Sequence, residues 1–153
     1  MYSIARLFFL FLALALPAQA AEILTVRGPA LEKNYDMEAL LEFEQVTIQT
    51  KNDYVELPTE FSGPLLRDVL EAHGIGSGET VVLRALNDYA TEMPARLAYE
   101  YDVILAVLRG GRAMPIRDKG PIWVIFPMED LRQTPDTTYN NYLVWQLAEI
   151  ERK

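Results

Sequence analysis

Apolar and polar residues alternate along the chain with a period that changes every few residues, and the changes mark out short elements. Residues 23–27 predict a strand ended by Gly28-Pro29. Asp36 predicts an N-cap for a short helix through Leu41, with Met37, Leu40 and Leu41 as its apolar face. Residues 45–50 (QVTIQT) alternate, which predicts a strand, and residues 54–57 predict another that stops at Pro58. The run FSGP at 61–64 predicts a helix start capped by Ser62 or Gly63, with Pro64 near the first helical position. Leu65, Leu66, Val69 and Leu70 continue it with a helical period, and His73-Gly74 closes it. In that last turn the histidine would be favoured as a cation by the helix dipole.

Residues 80–85 (TVVLRA) predict a strand, Asn87-Asp88 a turn and residues 89–93 its hairpin partner. A helical turn follows over 94–99. The continuous apolar runs at 103–108 (VILAVL) and 122–126 (IWVIF) predict strands buried on both faces. Between them Arg109-Gly110-Gly111-Arg112 predicts a turn. The tail at 142–150 fits a helix through Leu143, Leu147 and Ile150, and equally a strand face through Leu143, Trp145 and Leu147. Short strands with a few short helices point to an α+β fold with mixed, mostly antiparallel sheets.

The first 20 residues stand apart. A ten-residue apolar run, 7–16 (LFFLFLALAL), follows Arg6 and is broken by Pro17. Ala18-Gln19-Ala20 then supplies a small-x-small cleavage pattern. This is the layout of a secretory signal peptide, and ten residues fall short of the roughly 20 needed to span a bilayer. Cleavage after Ala20 would leave a single domain over residues 21–153, periplasmic or secreted. Without Arg6, 13 basic residues face 22 acidic ones, a formal charge of −9. Such a chain is a poor partner for nucleic acid or anionic membrane. It has no cysteine. Disulfide stapling, thiolate metal ligands, thiol nucleophiles and iron–sulfur clusters are therefore all excluded.

Candidate chemistry is sparse. The loop 109–121 (RGGRAMPIRDKGP) gathers Arg109, Arg112, Arg117 and Lys119 on an otherwise acidic chain. It reads either as an anion-facing loop or as a hairpin whose charges balance Asp118 and neighbouring acids. Asn87-Asp88-Tyr89 reads as the mouth of a pocket, or as local turn chemistry. The lone histidine has no second histidine or cysteine to complete a metal site. Hydrolase, zincin, P-loop and dinucleotide-binding fingerprints are absent from the sequence.

Taken in order, residues 61–70 (FSGPLLRDVL), 85–89 (ALNDY), Pro94, 102–106 (DVILA), 111–115 (GRAMP), 119–127 (KGPIWVIFP) and 144–147 (VWQL) form a series. The series resembles the molybdopterin-binding domain of the sulfite oxidase family. More closely, it is similar to the small secreted stand-alone proteins of the oxidoreductase molybdopterin-binding domain type. The resemblance implies a mixed α+β fold, makes the tail around Trp145 a strand, and implies oxidoreductase ancestry. In the family's enzymes a strand of the type T-L-Q-C-A-G-N delivers a cysteine whose sulfur binds molybdenum. Here residues 47–53 read TIQTKND, which puts Thr50 at the cysteine position. A neutral hydroxyl is a hard, weak donor and does not replace a thiolate on a transition metal. Two further departures concern the cofactor grip. Gly120-Pro121-Ile122 stands where the enzymes carry G-x-P-x-R, and Glu129-Asp130 brings acid where they carry G-x-x-x-x-K-W.

The expectation is a non-catalytic binding or partner module on this fold. Its candidate pocket residues are Thr50, Asn87, Asp88, Tyr89, Arg117, Lys119 and Gly120. They would hold a small anion or dock on a periplasmic sensor or redox protein, with no metal and no catalytic residue. The alternative is a molybdopterin-dependent oxidoreductase that holds its metal without a protein thiolate.

Overall fold

A computed structural model of the chain describes residues 20–131 and 137–153. The leader expected over residues 1–20 lies outside the described residues except for Ala20. In chain order the first half runs β1 (Leu24–Arg27), β2 (Glu32–Tyr35), α1 (Met37–Leu41), β3 (Gln45–Asn52), β4 (Val55–Pro64), α2 (Leu66–Ala72), β5 (Thr80–Ala85) and β6 (Ala90–Pro94). The second half runs α3 (Arg96–Glu100), β7 (Ile104–Ala106), β8 (Leu108–Arg109), β9 (Arg112–Ala113), β10 (Trp123–Ile125), α4 (Met128–Leu131) and β11 (Leu147–Arg152), with 3-10 turns at Ile116–Asp118 and Thr137–Tyr142.

The strands form a five-stranded sheet in the order β2-β1-β11-β5-β6, a four-stranded sheet β3-β4-β8-β9 and a ribbon β10-β7. Only β1 and β11 pair in parallel among the described strands. The ambiguous tail is a strand from Leu147, inserted between β1 and β5. Trp145, just before it, bridges to Trp123.

The two apolar runs explain how the sheets join. Val103, Leu105 and Val107 face the larger core with Ile122, Val124 and Phe126. Ile104 and Ala106 face a second core with Trp123, Ile125 and Phe61. A strand buried on both faces has no polar side to alternate with, so the sequence reads as continuous apolar residues. The ribbon is thus the partition between two cores.

Two local expectations give way to tertiary contacts. Strand β4 does not stop at Pro58 but runs on to Pro64. Its pairing with β3 shifts register between Thr50 and Asn52, and proline is tolerated beside such an irregularity because no ladder N–H is needed there. The helix starts late, at Leu66, without a side-chain cap. Residues 61–64 belong to β4, Leu65 bridges to Ile104, and the Leu66 N–H donates to the Val103 carbonyl at 2.8 Å. That pairing keeps the backbone extended through the predicted cap. His73 stands at the C-cap of α2, as expected, but in the interior. It is fully buried, its Nδ1 donates to the Val69 carbonyl at 2.7 Å, and the Tyr35 hydroxyl lies 3.5 Å from Nε2.

Candidate functional site

Strand β3 places Val46, Ile48 and Thr50 on one face by simple alternation. Val46 and Ile48 pack on the second core, and Thr50 continues the row inward until it is fully buried. A buried hydroxyl needs partners. The Thr50 Oγ1 accepts the Met128 N–H at 3.2 Å and lies 3.4 Å from the Lys51 carbonyl oxygen. Met128 opens α4, which packs across the end of β3. The first turn of α4 carries Glu129 and Asp130, both exposed. Thr50 is therefore closed over by backbone.

A cleft of about 320 Å³ opens elsewhere, where the β3–β4 turn, the β5–β6 turn and the segment before β11 converge. Tyr54, Asn87, Tyr89, Asn140, Asn141 and Trp145 line it, together with the apolar Ala85, Leu143 and Val144. Among the described residues, no charged one is in the lining. Local bonds hold its walls. The Asn87 side-chain oxygen accepts the Tyr89 N–H at 3.2 Å, closing the turn. The Tyr89 hydroxyl reaches across to donate to the Asn141 carbonyl at 3.1 Å. Tyr54 meets Trp145 edge to face, with ring centroids 4.9 Å apart. Asn140 donates to the Asp53 carboxylate. At this corner the Asn140 Oδ1 and the Asn52 Nδ2 are buried without a hydrogen-bond partner.

The basic loop divides by residue. Arg109 of β8 pairs with Asp118 of the 3-10 turn that follows β9, at 3.6 Å. Gly120 is a packing residue: a Cβ there would lie 1.8 Å from the Met114 carbonyl oxygen. Arg117 is exposed on the 3-10 turn. Lys119 adopts a left-handed conformation, φ 68°, and sets its ammonium 5.2 Å from the Trp145 ring centroid and 5.5 Å from that of Trp123.

Of the residues singled out in the sequence, Asn87 and Tyr89 thus line one cleft. Asp88, at φ 65°, sits in the same turn outside the lining. Lys119 adjoins the cleft through Trp145, whereas Thr50 and Gly120 are interior packing positions. Tyr54, Asn140, Asn141 and Trp145 also line the cleft and were not singled out in the sequence as pocket residues. The available signal was the pair of amides flanked by aromatics in Tyr139-Asn140-Asn141-Tyr142. Among the described residues, no group of three His, Cys, Asp or Glu is placed to hold a metal ion, and no helix is long and apolar enough to cross a membrane.

No family model and no curated protein matches this chain. Among solved structures it is similar to the crystal structure of the sulfane dehydrogenase SoxCD from Paracoccus pantotrophus. The TM-score is 0.62 and the identity 16%, over 84% of this chain and 37% of that one. The chain therefore spans well under half of that protein, and the likeness shows the fold alone. The shared fold is of the class expected from the sequence, α+β with mostly antiparallel sheets and few short helices.

Proposed function

We propose that this chain is a non-catalytic binding module, a small stand-alone relative of molybdopterin oxidoreductases. In this reading it is exported to the periplasm or beyond, loses its leader after Ala20, and holds its ligand or partner at the cleft beside Asn87 and Tyr89. The observation that carries the reading is the state of Thr50. In the enzymes that the sequence resembles, a cysteine sulfur is the protein's anchor for the metal, and an alcohol is a hard, weak substitute. The residue aligned with that anchor offers an alcohol, fully buried and already bonded to the Met128 N–H. The residues present do not fit a molybdenum–pterin group on two further counts. Among the described residues no cation is part of the cleft lining, Lys119 lying beyond the Trp145 ring, and the exposed carboxylates of Glu129 and Asp130 follow the N–H that covers Thr50.

Native mass spectrometry of protein exported by a host that makes molybdopterin tests this directly. The expected mass is that of residues 21–153, with no pterin adduct. A stoichiometric pterin mass that denaturation releases would overturn the reading.

A further inference from the structure

We infer that two copies of this chain pair edge to edge through β3, antiparallel, with Thr47 of one opposite Thr47 of the other. The surface is separate from the cleft, and the inference does not depend on how the cleft is read. Strand β3 ends the four-stranded sheet, and among the described residues only β4 pairs with it. The main chain shows which positions are open. On β4 the Glu60 and Ser62 carbonyls accept the Gly110 and Val107 N–H groups, so they face β8. Thr59, Phe61 and Gly63 therefore face β3, where they pair with Thr50, Ile48 and Val46. The N–H and C=O groups of Gln45, Thr47 and Gln49 point the other way, to the open edge.

A monomer blunts such an edge with charge, proline or brevity. The other ends of the two large sheets are blunted. β2 has four residues and carries Glu32 and Lys33, β6 closes on Pro94, and β9 has two residues. From Gln45 to Gln49, β3 has no charge and no proline. Lys51 and the register shift between Thr50 and Asn52 come only after that stretch and confine a pairing to it.

The occupant follows from self-complementarity. A two-fold axis at Thr47 sets Gln45 against the partner's Gln49 and Thr47 against the partner's Thr47, so every open position is used, each facing pair exchanging two hydrogen bonds. On the inner face Val46 meets the partner's Ile48, and Ile48 the partner's Val46. Both are half-buried against the second core, and the pairing covers the part that water still reaches. Threonine pairs and β-branched pairs across strands are favourable. Charge points the same way. The chain carries a net charge of −8, so most of its surface repels a copy, yet Gln45–Asn52 holds one cation and no carboxylate. The same register brings Lys51 to the partner's Glu42 and Glu44, which are exposed at the turn before β3. A strand of unrelated sequence would match the main chain alone.

The test is sedimentation equilibrium of the purified exported protein from about 1 µM to about 1 mM, a range that spans small, weak interfaces. The expected result is a mass that rises reversibly toward that of two chains. Thr47→Lys sets two like charges opposite each other on the axis, and Thr47→Pro removes an N–H that β4 does not use. Each weakens association about tenfold or more, with circular dichroism unchanged. Lys51→Glu weakens it about threefold, and Glu44→Lys in the same chain recovers the loss. Folded wild-type protein that stays monomeric at the top of the range overturns the proposal. So does a dimer that both folded Thr47 variants form as well as wild type, since it must use another surface. A Lys51→Glu loss that Glu44→Lys does not recover overturns the pairing about Thr47.

Discussion

The Thr50 hydroxyl accepts the backbone N–H of Met128, a residue 78 positions further along the chain. The bond ties the end of β3 to the first turn of α4. Thr50→Val keeps the shape and removes the acceptor, leaving a part-buried N–H unpaired. The expected loss is about 1 kcal/mol, whereas Thr50→Ser, which keeps the oxygen, loses less. Urea unfolding midpoints at fixed slope compare the two, and a Val variant as stable as wild type would show that the bond has no structural weight.

Gly120, one of the loop residues marked by the sequence, is held by backbone contact. Its N–H donates to the Pro115 carbonyl at 3.0 Å, and an added Cβ would meet the Met114 carbonyl oxygen at 1.8 Å. Gly120→Ala is expected to cost about 3 kcal/mol, because rigid backbone rather than a side-chain tip must give way. A melting temperature within a degree or so of wild type would refute that assignment.

Lys119 combines two opposing effects. Its left-handed backbone favours glycine, and its ammonium over two indoles favours lysine. Lys119→Gln loses the cation and keeps the strain, so it is expected to lower stability by about 0.5–1 kcal/mol. Lys119→Gly loses the cation but relieves the strain and should fall between Gln and wild type. The ranking is read by thermal unfolding, and glycine below glutamine would contradict it.

Glu79 gives the fold an acid-sensitive tie. The Gly76 N–H, then the Arg152 guanidinium, hold its carboxyl below the ordinary 4.5. A carboxyl depressed in the folded state contributes stability that is fully present above the unfolded value. That stability is lost as pH falls through the folded value, because the unfolded chain takes up the proton first. Glu79→Gln should therefore be less stable than wild type at neutral pH, and the gap should narrow below about pH 4.5. Melting temperature against pH reads it, and a gap that stayed constant into acid would count against the tie.

Much of the architecture was legible because it rests on local pattern. The runs at 103–108 and 122–126 declared two-faced burial, and the period of two in β3 put Thr50 on the face of Val46 and Ile48. The start of α2 was not legible. Ser62-Gly63-Pro64 reads locally as a helix entry, yet a Cβ on Gly63 would lie 1.9 Å from the Leu105 carbonyl. Close crossing of two strands sets that residue's role, and neighbours in sequence do not reveal it. The cleft was half legible. Asn87 and Tyr89 advertise a turn with an aromatic, but Tyr54 comes from the β3–β4 turn and Asn140 and Trp145 from the segment before β11, and only the tertiary fold brings these to the β5–β6 turn. The burial of Thr50 under Met128 likewise depends on a contact that spans half the chain.

The central claim is that Thr50 anchors backbone and no metal. Elemental analysis for molybdenum and tungsten, on protein purified from a host making the full cofactor, bears on it most directly. Metal no higher than in a mock purification is the predicted result, and an equimolar amount of either element that survives gel filtration would contradict it.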